Sequence, residues 1–344
     1  MNKLFVVPIE PLEERYSSQW RVWIDEELQL LGVKDFQFID GKELTTTIES
    51  GQFLDVFGTN YYKASQIQIL MQKLRDGEIR HGDSILFLDG WFPGIESLFY
   101  VRDGAKIDFK VYGCMHAGTW DTHDFLSRSG MTRWAEGIER SWLNEMDGIF
   151  VATHFHKDLI QGMRNTPPEK IHVTGFPMHR GHIASKPWSQ KENIVVFPHR
   201  IAPEKQPHIF SIMASELSKK YPDWKFIKTK DHCATKADYY DLLSRSKIAV
   251  SYALQETWGI AQQEALFAGC LPLVPDRLSY SEMYLQVFKY SDDSEAIQRL
   301  NYWIEALNQP EFEIEMLTSR NVCSNILHEK NSASIRNMLE IINR

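Results

Sequence analysis

The sequence predicts an α/β protein of two Rossmann-like domains facing a central cleft, each a parallel sheet covered on both faces. Three observations point there. Short apolar runs alternate with stretches of helical periodicity along most of the chain. The alternation breaks once, in a polar stretch near residues 178–193, and then restarts. The length of 344 residues suffices for two separate cores at roughly 150 residues each.

Leu4–Ile9 reads as a buried strand. A helix follows over Ser17–Leu31, where Trp20, Trp23, Ile24, Leu28 and Leu31 recur at helical spacing and Gly32 supplies the stop. Phe36–Ile39 is a strand and Tyr61–Leu74 a helix. Ser84–Asp89, Phe109–Gly113 and Gly148–Ala152 are buried strands, and Asn165–Pro177 holds the last strand of this half. After the polar stretch come strand Ile194–Phe197, helix Gln206–Lys220, strand Trp224–Ile227, helix Ala237–Ser246, strand Ile248–Tyr252, helix Gly259–Ala268 and strand Leu271–Val274. The expected organisation is a first domain over 1–178, a linker over 179–193, a second domain over 194–325, and a C-terminal helix over 326–344 packing back on the first domain. Such an arrangement puts a ligand at the carboxyl ends of two facing sheets.

Composition excludes several classes. With 43% hydrophobic residues, 19 Gly and 14 Pro, the chain is neither collagen-like nor disordered. No run approaches the ~18 apolar residues that a membrane span needs. The opening Leu4-Phe5-Val6-Val7 is too short for a secretory leader and meets Pro8 at once. Cys114, Cys233, Cys270 and Cys323 are isolated, as in a reducing, cytoplasmic compartment. The net charge of −8 is uneven: residues 1–178 carry 18 Lys+Arg against 26 Asp+Glu, and residues 179–344 carry 20 of each. A nucleic-acid binder usually shows the opposite sign.

The chemistry concentrates in Ile248–Pro275. A strand ends in a polar loop with Glu256, Gly259 turns the backbone into a helix, and Glu264 follows eight residues after Glu256. The first N–H groups of that helix lack intrahelical acceptors and carry the positive end of its dipole, so a diphosphate fits there. Two carboxylates a turn apart suit the hydroxyl pairs of a sugar nucleotide. Either acid alone reads more simply as a solvated loop residue or a helix-start acid; together with the Ala-Leu-Phe-Ala-Gly-Cys-Leu-Pro-Leu-Val continuation the balance reverses. Upstream, Arg200 and Lys205 follow the strand Ile194–Phe197 and could neutralise a departing diphosphate without a metal.

Arg200-x4-Lys205 followed by Glu256-x7-Glu264 resembles the retaining, family 4-like glycosyltransferases of the GT-B fold. The resemblance is specific over about residues 194–283 and architectural elsewhere. It implies that Arg200 and Lys205 hold the donor diphosphate, with Thr257 and the N–H groups of Gly259 and Ile260 beside them. It further implies that Glu256 contacts the donor sugar and Glu264 the ribose. His116, at the end of the strand Phe109–Gly113, fits the place where the family often carries a histidine against the donor sugar. The implied co-substrate is a nucleotide-diphosphate sugar, with UDP the expected nucleotide, and no further cofactor and no metal. The chain departs from the family in two places. Pro8–Tyr16 replaces the glycine-rich loop after the first strand, and Trp224–Ile248 is short for the base-reading region, leaving Lys228–Thr235 in that position.

In the first half, Asp89 and Trp91, then Trp120 and Asp121, follow strands and are candidate acceptor walls, as are Glu10 and Arg15 after the first strand. Aromatic faces there could stack on a sugar or base; core packing is the plainer reading. His154-Phe-His156 has ligand-like spacing but no third ligand, and reads as structural. The stretches Pro8–Tyr16 and Gly113–Phe125 loosely resemble virus-encoded glycosyltransferases, some of which modify hydroxymethylated pyrimidines in DNA. The favoured acceptor is therefore such a base in duplex DNA, in a host cytoplasm. The alternatives are an envelope saccharide or lipid-linked acceptor, or a phosphorylase-like or epimerase-like GT-B enzyme.

Overall fold

A computed structural model describes residues 2–12, 16–44 and 55–344. The chain forms two compact units: residues 1–178 with 332–344, and residues 179–331. Arg15, one of the acceptor-side candidates, lies outside the described residues.

The first unit contains β1 (Leu4–Val7), α1 (Tyr16–Leu30), β2 (Phe36–Phe38), α2 (Val56–Arg75), β3 (Ser84–Phe87) and α3 (Glu96–Ala105). It continues through β4 (Lys110–Cys114), α4 (Phe125–Arg128), α5 (Thr132–Glu145), β5 (Gly148–Val151), α6 (His154–Arg164) and β6 (Ile171–Val173). The strands make one parallel sheet in the order β2-β1-β3-β4-β5-β6. β1, β3, β4 and β5 are almost wholly buried on both faces, as expected of a parallel sheet that helices cover on both. Phe5, Val7, Ile85, Phe87, Val111, Ile149 and Val151 centre the core.

The second unit contains β7 (Glu192–Phe197), α7 (Pro207–Lys220), β8 (Lys225–Lys228), α8 (Lys236–Arg245), β9 (Ser246–Val250) and α9 (Ile260–Phe267). After these come β10 (Leu271–Pro275), α10 (Tyr280–Met283), β11 (Lys289–Tyr290), α11 (Asp293–Ala306) and α12 (Pro310–Ile342). The sheet is again parallel, in the order β11-β10-β9-β7-β8. Two parallel-sheet α/β units are thus what the apolar alternation predicts. The polar stretch before β7 contains two single 3-10 turns, Arg180–His182 and Trp188–Gln190.

Sequence periodicity leaves α3, α5, α6 and α11 unassigned, and two of these show why. The buried positions of α5 are Ala135, Glu139, Trp142 and Leu143, so an acid interrupts the apolar stripe. Those of α6 are His156, Ile160 and Arg164, two of them polar. In the second unit a buried amine ties helix ends to the start of β9: Lys191 Nζ donates to the carbonyls of Ser244, Ser246 and Ala268 at 2.6, 2.9 and 2.8 Å. It thereby satisfies carbonyls at the ends of α8 and α9 that have no intrahelical donor.

Candidate functional site

In each sheet the strand order reverses once, between β1 and β3 in the first unit and between β7 and β9 in the second. Open parallel sheets bind ligands outside the carboxyl ends of strands at such a reversal. The loops leaving β7 and β9 carry Arg200, Lys205 and Glu256.

Those two loops are stitched together. Leu254 N–H donates to the Glu204 carbonyl at 2.8 Å. Lys205 is buried, and its ammonium donates to the Gln255 carbonyl, to Gln255 Oε1 at 3.3 Å and to Glu256 Oε2 at 3.1 Å. Burial would raise the Glu256 pKa, but the Lys205 charge and a hydrogen bond from the Gly259 backbone outweigh it and hold the carboxyl below its usual range. Arg200 is ion-paired with the buried Glu204 and keeps 39% of its side chain exposed. His199 is buried and bonds Ser251 Oγ at 2.8 Å, which also contacts Tyr280 OH at 3.1 Å. Burial and the nearby Lys205 push the His199 pKa down to about 3, so the imidazole is neutral.

Gly259 begins α9 at φ +68, and a Cβ there would lie 2.8 Å from Tyr280 Cε1. The left-handed turn aims the helix start at the Glu256 loop, as the sequence requires of a glycine here. Ile260 is the first helical residue and Thr257 is buried in the preceding loop. Glu264 sits one turn on, 3% exposed. Its Oε1 accepts from Lys236 Nζ at 2.7 Å and Tyr240 OH at 2.9 Å, and its Oε2 from Tyr239 OH at 2.9 Å. These donors from α8 are absent from the sequence reading, as are His199 and Gln255. The capping box of Thr235 and Asp238 that starts α8 was a readable signal.

In the first unit the candidates occupy loops after β1, β3 and β4. Glu10 is buried and accepts from Thr59 Oγ1 at 2.7 Å. Asp89 pairs with Lys63 Nζ at 2.7 Å, and the same amine donates to the Trp91 carbonyl at 2.7 Å. Burial lowers the His116 pKa. The His116 Nε2 lies 2.7 Å from the Leu88 carbonyl, which can only accept, so Nε2 carries the proton. Trp120 is 2% exposed and donates from Nε1 to His156 Nε2 at 3.2 Å, so its ring belongs to the core. Asp121 is buried too, and its carboxylate caps a turn by accepting from His123 N–H at 2.9 Å. Of the two tryptophans, Trp91 is the more accessible, and it is fixed by a bond from Nε1 to Glu139 Oε1 at 2.8 Å.

Glu139 anchors a network that sequence reading missed. It also accepts from Thr119 N–H and Thr119 Oγ1, both at 2.7 Å, and from Arg164 Nε at 2.8 Å. Arg164 Nη2 closes the ring on Thr119 Oγ1 at 2.8 Å. The network fixes the Trp91 and Thr119 loops from below. His154 is exposed while His156 is buried, and the pair shares no metal-like cluster among the described residues.

No family model matches the chain. Among solved structures it is similar to a glycosyltransferase from Rickettsia africae, 10% identical with a TM-score of 0.65, over 99% of this chain and 98% of that one. It is similar to sucrose-phosphate synthase from Thermosynechococcus elongatus, 10% identical with a TM-score of 0.63, over 100% of this chain and 97% of that one. S. aureus TarM, solved with fondaparinux, alpha-GlcNAc-glycerol and UDP, is 17% identical with a TM-score of 0.58, over 81% of this chain and 59% of TarM. The chain thus spans about three-fifths of TarM's length. Its two parallel-sheet, Rossmann-like units are those of the GT-B glycosyltransferase fold.

Proposed function

We propose that the protein is a retaining glycosyltransferase that moves a sugar from a nucleoside-diphosphate sugar to an acceptor hydroxyl. One observation carries the reading: Lys205, Glu256 and the start of α9 meet at the strand reversal of the second sheet, 51 residues apart in sequence for the Lys205–Glu256 pair. That meeting supplies a buried cation and a helix start for a diphosphate, with an ionised carboxylate for the sugar beside them. All three Lys205 protons have acceptors within the protein, and the longest of these bonds, 3.3 Å to Gln255 Oε1, is the one a phosphate oxygen would replace most cheaply. Arg200, Thr257 and Ile260 complete the diphosphate side in this reading, and Glu264 takes the ribose.

In the reaction the bond from the anomeric carbon to the diphosphate oxygen breaks, and one from that carbon to the acceptor oxygen forms on the same face. The departing phosphate takes the acceptor proton, leaving a glycoside and a nucleoside diphosphate. Lys205, Arg200 and the α9 N–H groups stabilise the charge that develops on the leaving group. No step requires His116 to exchange a proton, which suits an imidazole whose Nε2–H is held by the Leu88 carbonyl.

Two acceptor classes each have one observation in their favour. The likeness of Pro8–Tyr16 and Gly113–Phe125 to virus-encoded glycosyltransferases favours a hydroxymethylated pyrimidine in duplex DNA. The acidic balance of residues 1–178 favours a saccharide. Asp89, Trp91 and Glu10 are the first-unit residues offered to either. The test measures nucleoside-diphosphate release from a panel of nucleotide sugars, with hydroxymethylated duplex DNA or oligosaccharides added. Acceptor-dependent release is expected, and Glu256→Ala or Lys205→Ala should abolish it while far-UV circular dichroism is unchanged. Near-native turnover in either variant would sink the site assignment.

A further inference from the structure

Resting on the reading of Glu264 as the ribose acceptor, we infer that Tyr239 and Tyr240 are positioning residues that fix this carboxylate for a single ribose hydroxyl. The geometry is self-contained. The two tyrosines are neighbours on α8, with ring centroids 5.6 Å apart, and their hydroxyls reach different oxygens of Glu264. The Lys236 ammonium lies 5.0 Å from one ring centroid and 4.9 Å from the other while bonding Glu264 Oε1 at 2.7 Å. It is therefore held by two aromatic faces and a carboxylate at once.

An ionised carboxylate offers about four acceptor positions. Among the described residues three are taken, two on Oε1 and one on Oε2. The remaining position is on Oε2, beside Tyr239. A ribose can thus give Glu264 one hydroxyl without displacing a protein donor. Capture of both hydroxyls across the two oxygens would force Lys236 or Tyr240 off Oε1. A carboxylate gripped from three sides does not rotate to follow a ligand, so the direction of the last acceptor position is set by α8. Burial and the adjacent Glu264 charge raise the Tyr239 pKa well above normal, so its hydroxyl stays a donor across the physiological range.

The test uses the full chain and calorimetric titration of UDP, GDP and ADP, taking whichever binds best with its 2′-deoxy and 3′-deoxy forms. Wild type should bind one deoxy form about tenfold or more weakly and the other nearly normally, as expected for one hydrogen bond to a charged group. Tyr239→Phe, Tyr240→Phe and the double variant keep the rings and remove only the hydroxyls. They should reduce that discrimination to under about threefold, raise KM for the nucleotide sugar and leave kcat near wild type. Variants that keep full discrimination overturn the positioning role, even where their melting temperature falls. Equal loss with both deoxy forms overturns the single-hydroxyl geometry. A wild type that binds a diphosphate but ignores both deletions overturns the ribose reading of Glu264 itself, and one that binds no diphosphate overturns the donor site.

Discussion

Gly259 shows how much of the proposed site depends on one backbone angle. At φ +68 an L side chain is strained by about 1–2 kcal/mol, and its Cβ would meet the Tyr280 ring at 2.8 Å. Tyr280 cannot retreat freely, because its hydroxyl bonds the Ser251 that orients His199. Gly259→Ala should therefore lose about 2 kcal/mol or more in urea unfolding and weaken nucleotide binding further; a variant as stable as wild type would contradict the strain. The buried histidines make a second residue-level prediction. His199 and His156 are both held near a pKa of about 3 by burial, against ~6.5 in an unfolded chain. Between those values the unfolded chain binds more protons, so stability is full above about pH 6.5 and falls as the pH drops toward 3. Each histidine should contribute a slope of up to about 1.4 kcal/mol per pH unit in that window. Denaturant titrations at pH 7, 6, 5 and 4 measure it, and a flat profile would refute it. Lys205, Glu256 and Gly259 were legible because their chemistry follows a strand end at readable spacing. His199 and Gln255 were not, since their roles come from burial and from pairing across loops, which no local period encodes.

At the level of elements, what the sequence conceals is polar residues on buried stripes. β1 and β5 announce themselves as unbroken apolar runs, and β3 and β7 as apolar runs after polar first residues, because both faces are covered. α5 and α6 do not, since Glu139 and Arg164 occupy core-facing positions and pair with each other at 2.8 Å, at 0% and 2% side-chain exposure. Breaking such a pair leaves an uncompensated charge and costs about 3–5 kcal/mol. Glu139→Ala should do so and also release Trp91 and Thr119, visible as changed tryptophan fluorescence before global unfolding. Glu139→Leu combined with Arg164→Leu should recover only part of the loss, because the Trp91 Nε1–H and the Thr119 N–H would still lack their acceptor. Full recovery would show that these donors find other partners. α8 is legible as a helix from its capping box, yet its role around Glu264 is not, because the three donors meet an acid 24 to 28 residues away.

For the whole molecule, the two-unit plan was legible from the restart of the strand–helix alternation, and the sheet orders then locate the reversals that no composition reveals. α12 is the element that ignores the division: it begins in the second unit, and its residues from 332 onward belong to the first. Ile335, Met338 and Leu339 are buried there, and Met338 Sδ lies 4.0 Å from Cys114 Sγ on β4. Removal of residues 332–344 should destabilise the first unit by several kcal/mol, since three buried side chains of this kind contribute about 1.5–3 kcal/mol each. Hydrogen exchange of β4 and β5 amides would report the loss.

The same helix orders events in time. The Cys114–Met338 contact spans 224 residues, so the sheet of the first unit cannot close its core until the segment that follows the second unit has been made. Throughout translation of the second unit, the first waits with an apolar surface uncovered beside β4. The second unit, whose strands and helices are contiguous in sequence, has no such delay. Of the two units, the one made first is therefore the one that finishes folding second, and the interval between is when its uncovered apolar surface is most exposed to aggregation.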